Sequence, residues 1–283
     1  MATKVFKSFF KVVGGNEGNL CKYNTRLDTY GCGCFHDCAY CYAKSLLDFR
    51  GLWNPKDPSV ASLDDIARRI KRIPKGSIIR LGGMTDCLQP IEAQHKVTRN
   101  TIMMLNRAGI GYLIVTKSHL IATDEYLKIL KPELAHIQIS VTSTDDEQAL
   151  KYEKCSKSSK RLDAVKKLQD AGIDVALRLS PYIPQFIDLD VIAEVNPQKV
   201  LVEFLRLNHW TRKWLDGLVD LSPYTLKNGG YTHLPLEEKE RHIQAIKNAL
   251  NAEISVCEDV PEHYAYWKEN VNHNPDDCCN LRV

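Results

Sequence analysis

Three closely spaced cysteines near the start of the chain place the strongest constraint on it. Residues 34 to 41 read Cys-Phe-His-Asp-Cys-Ala-Tyr-Cys, so Cys34, Cys38 and Cys41 follow the spacing Cys-x3-Cys-x2-Cys. Thiolates at this spacing converge on one small loop and can ligate three irons of a [4Fe-4S] cluster, which leaves the fourth iron without a protein ligand. Because an open iron can bind a small chelating molecule, the motif predicts an enzyme.

Two other interpretations of the three thiols were compared with the cluster. Zinc sites usually take four ligands from paired Cys-x2-Cys knuckles, and this triplet lacks that rhythm. Structural cysteines of a hydrophobic core have no reason to fall within eight residues among loop residues such as Gly31, Gly33 and Asp37. The iron-sulfur interpretation is therefore favoured.

Length, composition and charge set the class of protein. A chain of 283 residues can bury one sizeable core, and we expect a single domain over residues 1–283. No apolar run approaches the roughly 20 residues that span a bilayer, and the first ten residues lack a signal-peptide pattern. Ten cysteines, three of them in the motif, favour a reducing compartment. We therefore expect a cytoplasmic protein with no membrane partner.

The charge distribution does not identify a nucleic-acid binder. A net charge of +3 is small, whereas phosphate recognition normally shows a concentrated basic face. The one local basic run covers residues 151–161 and is typical of a solvated loop that leads into a helix. A phosphate contact is the alternative role of that run.

Apolar, β-rich runs alternate with amphipathic helical stretches, which predicts an α/β fold with a parallel sheet covered by helices. Together with a strand before the cysteine loop, these runs give about six β/α units, and hence a partial (β/α)6 TIM-type barrel. We place the barrel core at about 20–210 and a C-terminal extension at about 211–283. The predicted strands are 77–81, 112–115, 136–141, 174–179 and 199–205, and predicted helices open at Ser62 and cover 91–108 and 160–171.

Residues that follow the strands are the candidate site residues, because chemistry in such barrels gathers at the C-terminal ends of the strands. Gly82 and Gly83 follow one strand and allow the backbone close to a ligand, and Thr85 and Asp86 add polar groups. The alternative is a glycine turn in which Asp86 caps the next helix. Lys117 closes a buried strand, so its ammonium must meet a carboxylate or reach water.

Two further strands carry polar residues. Ser140 and Thr142 alternate along one strand, so their hydroxyls would face inward and could bind a ribose. Arg178 lies within an otherwise apolar strand, where a charge must face a polar cavity or form an ion pair. Both roles of Arg178, in the site and in a salt bridge, remain open at this point.

Together these blocks resemble the radical S-adenosylmethionine (SAM) superfamily, and within it the spore photoproduct lyase-like branch. The resemblance covers roughly residues 30–210 and rests on the segments 33–43, 85–90, 115–118, 140–142 and 171–184. It implies a partial barrel that binds SAM and a [4Fe-4S] cluster. It also implies reductive cleavage of SAM to a 5'-deoxyadenosyl radical, a flavodoxin- or ferredoxin-type electron donor, and a nucleobase in DNA or a nucleotide as substrate.

The resemblance also assigns roles to individual residues. Tyr40 and Tyr42 flank the last cysteine as two tyrosines do in the lyase, and we expect catalytic roles for both, with Tyr40 also packing against the cofactor. Gly82, Gly83, Thr85, Asp86, Lys117, Ser140, Thr142 and Arg178 are the other expected cofactor contacts. The place of the lyase's hydrogen-donating cysteine is occupied by Gly83, and Cys87 follows instead. Cys87 is therefore either a displaced hydrogen donor or a small buried hydrophobe.

Five cysteines outside the motif form a candidate second metal site. They are Cys21, Cys32, Cys257, Cys278 and Cys279. Adjacent cysteines are awkward joint ligands for a single ion, and no Cys-x2-Cys signature accompanies them. The alternatives place Cys278 or Cys279 near the barrel mouth as a redox-active or hydrogen-donating thiol, or on the surface of a C-terminal tail.

Two other functions are compatible with the sequence. One is a radical SAM maturase that acts on a peptide or protein, and an auxiliary cluster at the terminal cysteines would favour it. The other is a non-enzymatic iron-sulfur or zinc-binding module, in which the three motif thiols would acquire a fourth protein ligand and SAM would not bind.

Overall fold

The computed structural model describes residues 5–6, 10–12 and 20–282. The strands in these ranges are β1 (Val5–Phe6), β2 (Phe10–Val12), β3 (Thr25–Leu27), β4 (Tyr30–Gly31), β5 (Ser59–Ala61), β6 (Ile78–Leu81), β7 (Gly111–Thr116), β8 (Ala135–Val141), β9 (Asp174–Tyr182), β10 (Lys199–Phe204), β11 (Leu226–Asn228), β12 (Tyr231–His233) and β13 (Glu253–Val256). The helices are α1 (Tyr42–Leu47), α2 (Leu63–Ile70), α3 (Glu92–His95), α4 (Val97–Ala108), α5 (Asp124–Leu127), α6 (Asp146–Leu150), α7 (Ser158–Asp170), α8 (Leu189–Val195), α9 (His209–Leu215), α10 (Leu236–Ala249) and α11 (Pro261–Asn270). None of the helices in this part of the chain is both long and apolar enough to cross a membrane.

A mostly parallel sheet forms the centre of the molecule. Its strand order is β13-β10-β9-β8-β7-β6-β3-β2, and only the β2 to β3 pairing is antiparallel. Within the described ranges no pairing joins the two edge strands, so the sheet does not close and forms a partial barrel. The predicted α/β partial-barrel class is confirmed, with β13 as a seventh parallel strand beyond the six that the sequence indicated.

Helix boundaries follow local capping, as the sequence indicated. Ser62 caps α2 by accepting a hydrogen bond from the Asp65 amide at 3.4 Å. Helix α4 ends at Gly109 and α7 ends just before Gly172, and both glycines adopt positive φ angles of 64° and 71°. These stops are the ones that the sequence predicted.

The predicted helix over 91–108 is wrong in one respect, because it is two helices. Lys96 adopts a left-handed φ of 53° between α3 and α4. The buried Glu92 side chain accepts hydrogen bonds from the amides of Thr98 and Arg99 at 2.9 Å and 2.8 Å. A carboxylate that satisfies the first amides of α4 acts as its N-terminal cap from a distance, so the break has a local physical cause.

The basic run over 151–161 is partly buried, contrary to the prediction of a solvated loop. Arg161 is fully buried in α7, where it forms an ion pair with Glu153 and donates to the carbonyl of Ser140 at 2.9 Å. Because a buried cation needs a partner, the carboxylate within the run explains the burial. Lys151 and Lys154 remain exposed, as expected.

The C-terminal segment returns to the barrel after α11. Lys199, at the start of β10, donates to Asp174 at 2.6 Å and also to the carbonyl of Asn280. The Arg282 amide donates to Asp174 at 2.9 Å. Since Asp174 and Lys199 begin their strands, the end of the chain is fixed beneath the barrel, and the sheet and its contacts continue beyond residue 210.

The buried Asp174 carboxylate should therefore stabilise the fold. Replacing it in Asp174→Asn leaves Lys199 without its charged partner, and we expect the free energy of unfolding to fall by about 3 kcal/mol, measured by urea denaturation of the anaerobic protein at pH 7. The exposed Asp170→Asn change is the matched control and should have little effect. Equal effects of the two changes would contradict this account.

The same contacts predict a pH dependence. Although burial opposes it, the hydrogen bonds from His136 and Lys199 lower the pKa of Asp174 to about 2. A carboxylate with a depressed pKa stabilises the fold above its unfolded pKa of about 3.9, and this contribution is lost as the pH falls from there toward 2. Acid unfolding of Asp174→Asn should accordingly show a shallower loss of stability between pH 4 and pH 2 than the wild type.

Candidate active site

A cavity opens at the C-terminal ends of the parallel strands. Its walls come from the cysteine loop, the turn after β6, the ends of β7 to β10, and the segments on either side of β13. Residues that the sequence predicted and that line the cavity are Cys34, Cys38, Cys41, Tyr40, Tyr42, Gly82, Gly83, Thr85, Asp86, Lys117, Ser140 and Arg178.

The cysteine loop folds through two tight turns. The Asp37 amide donates to the carbonyl of Cys34 at 3.1 Å, and the Cys41 amide donates to the carbonyl of Cys38 at 3.2 Å. Cys41 also caps α1, since its sulfur accepts from the Lys44 amide at 3.4 Å. All three cysteines therefore line the cavity from a single short loop.

Asp86 connects this loop to the strands. Its carboxylate accepts hydrogen bonds from the Leu88 amide at 2.8 Å, the Thr116 hydroxyl at 2.8 Å and the Lys117 amide at 2.7 Å. His36, inside the cysteine motif, lies 3.4 Å from the same carboxylate. Although burial opposes it, the contact with His36 and the amide hydrogen bonds lower the pKa of Asp86 to about 2.

The roles that the sequence allowed for Asp86 can now be compared. Its oxygens already accept hydrogen bonds from the chain. This arrangement corresponds more closely to the alternative, in which Asp86 caps the helix after a glycine turn, than to a direct contact with SAM. The hydroxyl of Thr85 is likewise engaged and donates to the carbonyl of Tyr30 at 2.8 Å. His36 was missed because only its position between two cluster cysteines could have pointed to it.

The glycine turn after β6 is required by geometry. Gly82 adopts a φ of +79°, and a Cβ there would lie 2.9 Å from the carbonyl oxygen of Thr85. The Gly83 amide donates to the carboxylate of Asp28 at 2.7 Å. Burial raises the pKa of Asp28 to about 6. Sequence reasoning missed Asp28, although its position just after β3 was a usable signal.

Lys117 reaches the cavity beside the cysteine loop. Its ammonium lies 5.4 Å from the centre of the Tyr40 ring, and the Tyr40 hydroxyl donates to Glu153. Although burial opposes it, the negative charges of Cys38 and Glu153 raise the pKa of Lys117. The side chain therefore stays a cation at neutral pH.

Cys155 is a fourth thiol near the motif that the sequence analysis missed. Its sulfur lies 3.8 Å from that of Cys38. A hydrogen bond from the Cys155 thiol lowers the pKa of Cys38 to about 7. Cys155 falls in the basic run, where nothing in the sequence marks it as a neighbour of the motif.

The two strand hydroxyls predicted to bind a ribose differ in position. The Ser140 oxygen is buried in the cavity wall and has no hydrogen-bond partner among the described residues. Thr142 lies outside the cavity wall, and its hydroxyl is paired with that of Tyr152 at 3.1 Å. The hydroxyl of Thr142 is therefore engaged by the loop after α6, and its contact with a ribose stays a prediction.

The salt bridge considered for Arg178 is present, and its role in the site stays a prediction. Its guanidinium donates to Glu203 at 2.5 Å and to Gln138 at 2.7 Å, and the side chain also lines the cavity. Ser180 donates to the same Glu203 carboxylate at 2.6 Å. A buried, paired cation of this kind can form part of a wall without being an open ligand.

Two of the predicted catalytic residues, Tyr42 and Cys87, lie in different environments. Tyr42 begins α1, its hydroxyl donates to the carbonyl of Gly83, and Arg206 lies 5.5 Å from its ring centre. Cys87 is fully buried in the main hydrophobic core and lies outside the cavity wall. This position contradicts the predicted hydrogen-donor role and corresponds to the alternative of a small buried hydrophobe.

Three of the five remaining predicted cysteines line the cavity, and a fourth, Cys279, packs in a small hydrophobic cluster with two of them. The three that line the cavity are Cys21, Cys257 and Cys278, and the Cys278 thiol is hydrogen-bonded to those of Cys257 and Cys279. Cys32 does not join them and lies where its carbonyl accepts from the Asn54 amide at 2.8 Å. Cys32 is therefore not grouped with the other four, and its part in a second metal site stays a prediction.

The family assignment follows from a match to a sequence-family model. The model of the radical SAM superfamily matches residues 29–193, which include the cysteine loop and strands β4 to β9. The chain belongs to the radical SAM superfamily. It is accordingly an enzyme of a family that uses SAM and a [4Fe-4S] cluster.

Two sequence relatives of this radical SAM protein carry the description uncharacterized protein. A protein of Methanocaldococcus jannaschii is 34% identical over 172 residues, which is 58% of this chain and 63% of the relative. A protein of Mycobacterium tuberculosis is 27% identical over 206 residues, which is 64% of this chain and 59% of the relative. The chain thus matches less than two thirds of the length of either relative.

Solved structures share the fold of this radical SAM protein. A C140S mutant of spore photoproduct lyase superposes with a TM-score of 0.66 at 15% identity, covering 88% of this chain and 79% of the lyase. SuiB of Streptococcus suis bound to SAM superposes with a TM-score of 0.51 at 14% identity, covering 85% and 54%. The resemblance to spore photoproduct lyase is confirmed at the level of fold.

The residues present fit the cofactors of the superfamily. Three thiols in one loop leave one iron of a cluster open, and the cavity beside them carries the Lys117 cation. Two buried polar atoms of the wall, Oγ of Ser140 and Nε of Arg80, lack hydrogen-bond partners in the described part of the chain. Buried polar groups are normally satisfied, so a polar ligand is expected against this wall.

The loop geometry predicts which thiols are indispensable. Cys38→Ala should prevent cluster assembly at the motif, because two thiolates cannot hold three irons. The SAM-dependent change of the visible spectrum and the release of 5'-deoxyadenosine with dithionite should both disappear after anaerobic reconstitution. Cys32→Ala, outside the cavity, is the matched control and should retain both. A SAM-responsive cluster in Cys38→Ala would contradict the assignment.

Proposed function

We propose that this protein cleaves SAM reductively in the cavity and removes a hydrogen atom from a substrate that contains a nucleobase. One observation carries the proposal. The three motif cysteines, Lys117 and Ser140, whose hydroxyl has no partner among the described residues, line the same cavity at the strand ends. When bound, the cluster and SAM supply the electron transfer and the 5'-deoxyadenosyl radical that this chemistry requires.

The side chains around the motif are suited to orient SAM. Lys117 is a cation whose ammonium interacts with its neighbours through charge and the Tyr40 ring, so it can bind the SAM carboxylate. Ser140 can donate to the ribose, since its hydroxyl has no partner among the described residues. The turn over 82–85 faces the same space and is the proposed site of the methionine amino group.

Asp86 is proposed as a positioning residue for this arrangement. Because its carboxylate accepts from the Lys117 amide and contacts His36 of the cysteine loop, it fixes the distance between the lysine and the motif. Arg178 is proposed to hold the opposite wall through Glu203. Neither residue needs to contact SAM directly to affect its binding.

The path of the hydrogen atom is proposed from the remaining cavity residues. No general base is required when a hydrogen atom is abstracted. Tyr40 and Tyr42 line the cavity and are the proposed relay residues.

The cavity mouth supports a nucleobase as the substrate. Arg206 lies between the rings of Tyr42 and Tyr231, at 5.5 Å and 5.2 Å from their centres. Aromatic rings and guanidinium planes are the groups on which unstacked bases pack. A base in duplex DNA would first have to flip out, at a cost of a few kcal/mol. A flavodoxin- or ferredoxin-type protein is the proposed electron donor.

A peptide or protein substrate is the second candidate function. The observation that favours it is the grouping of four cysteines at one side of the cavity, because an auxiliary cluster there was the feature expected of a maturase. Among the structural neighbours, SuiB is known with its precursor peptide bound and spore photoproduct lyase with a dinucleoside photoproduct. Both substrate classes therefore belong in one binding experiment.

The role of Lys117 can be tested by binding. Lys117→Ala should weaken SAM binding about tenfold or more, since a hydrogen bond to a charged group contributes roughly 1.5–3 kcal/mol. Iron content should not change, because the lysine is not a cluster ligand. Equilibrium dialysis with labelled SAM measures the first effect and an iron assay the second. Lys151→Ala, an exposed lysine, should match the wild type, and equal SAM affinity in Lys117→Ala would remove the lysine from the site.

The substrate class can be tested with matched ligands. The reconstituted protein with SAM should bind thymidine dinucleotides more tightly than peptides of similar size. Tyr231→Ala should weaken dinucleotide binding by roughly 1–3 kcal/mol through lost stacking. Tyr266→Ala changes a tyrosine outside the cavity and should have no such effect. Selective binding of peptides would contradict the nucleobase proposal and support the second candidate.

A further inference from the structure

Four cysteines from three distant parts of the chain lie together at one side of the cavity, and Cys21, Cys257 and Cys278 line it. Cys21 precedes β3, Cys257 follows β13, and Cys278 and Cys279 belong to the C-terminal segment. Cys21, Cys278 and Cys279 pack together in a small hydrophobic cluster with Tyr23 and Leu113. The Cys278 thiol is hydrogen-bonded to the thiols of Cys257 and Cys279. We call these four residues the wall cysteines.

We propose that the wall cysteines ligate a second iron-sulfur cluster beside the substrate cavity. Four thiolates are the ligand set of a fully protein-bound [4Fe-4S] cluster. Such a cluster would have no open iron, in contrast to the cluster at Cys34, Cys38 and Cys41. The proposal does not depend on the substrate class.

The spacing of the thiols favours a cluster over a single ion. In the described chain, the groups of three or more metal-ligating atoms that all lie within 4.8 Å of one another do not include the wall cysteines. Of the three motif cysteines, Cys38 alone belongs to such a group, with Glu153 and Cys155, so the motif thiols do not form one together. Ligands of one tetrahedral zinc lie close together, since each Zn–S bond is about 2.3 Å. The thiols of the wall cysteines are therefore spaced more widely than zinc ligands, as the thiols of the motif cysteines are.

Adjacent cysteines suit a cluster better than they suit a single ion. Neighbouring cysteines are strained when both must reach a single ion, whereas a cluster offers four separate irons. Cys278 and Cys279 lie in a tight turn in which the Asn280 amide donates to the carbonyl of Asp277 at 2.8 Å. Both cysteines of this turn pack with Cys21 in the same small hydrophobic cluster.

The turn itself is held firmly in the barrel. The buried Asp277 carboxylate accepts from the Tyr23 hydroxyl at 2.5 Å and from the Cys279 amide at 3.0 Å. Below it, the carbonyl of Asn280 accepts from Lys199. Because contacts at Asp277 and at Asn280 both fix the segment, the thiols of Cys278 and Cys279 belong to a preformed site.

The charges around the wall cysteines suit an anionic cluster. Four thiolates around a [4Fe-4S] core give a net negative charge, which a low-dielectric wall tolerates only beside cations. Arg178 lies beside Cys257 and Cys279, and Arg80 lies beside Cys21. Both arginines line the same cavity.

Iron analysis of a variant without the first site tests the proposal. The triple variant Cys34→Ala, Cys38→Ala, Cys41→Ala is reconstituted anaerobically with iron and sulfide. It should keep about four irons and four sulfides per chain, half of the wild-type content. Its visible spectrum should not respond to SAM, because the open iron is gone. Mössbauer spectra should show a [4Fe-4S] cluster.

The reciprocal variant separates this proposal from the proposed function. Replacing all four wall cysteines by alanine should halve the iron content while the SAM-responsive cluster remains. Cys32→Ala is the control and should keep both clusters. If the reciprocal variant does not fold, the iron content of the triple variant decides alone. No iron in the triple variant, or zinc in place of iron and sulfide, would overturn the proposal even if the wild type still cleaves SAM.

Discussion

The buried carboxylate of Asp86 is the contact on which the candidate site depends. It joins the cysteine loop through His36, the turn after β6 through the Leu88 amide, and the end of β7 through Thr116 and Lys117. A charge inside a protein is tolerated when several donors satisfy it, and such a network fixes its members relative to one another. The thiols and the lysine proposed to bind SAM are therefore positioned as one unit by a residue that touches both.

The end of the chain is the second determinant of the cavity. Asp174 and Lys199 hold the C-terminal segment under the barrel, and this places Cys278 in the cavity wall. Stability and site composition are thus linked, because the contacts that fix the segment also complete the wall. Iron bound at the wall cysteines would favour a peptide over a nucleobase as the substrate. Without a metal there, the Cys278 thiol would be free to donate a hydrogen atom.

Local patterns predicted much of this architecture, and long-range contacts account for what they missed. Strand positions follow from apolar runs, and the motif cysteines lie in one loop because they fall within eight residues of sequence. The burial of Cys87 in the core and the pairing of Thr142 with Tyr152 depend on contacts that no spacing rule predicts. The burial of Arg161 and the return of the terminal segment depend on partners such as Glu153 and Asp174, which no spacing rule connects to them.

The central claim is that one cavity holds both the motif cluster and SAM. Electron-nuclear double resonance on the reduced protein, with SAM labelled by 15N at the amino group and 17O at the carboxylate, tests it most directly. The account predicts hyperfine coupling of both labels to the cluster in the wild type and in the variant that lacks the four wall cysteines. A reduced cluster at the motif with no coupling to either label would contradict it.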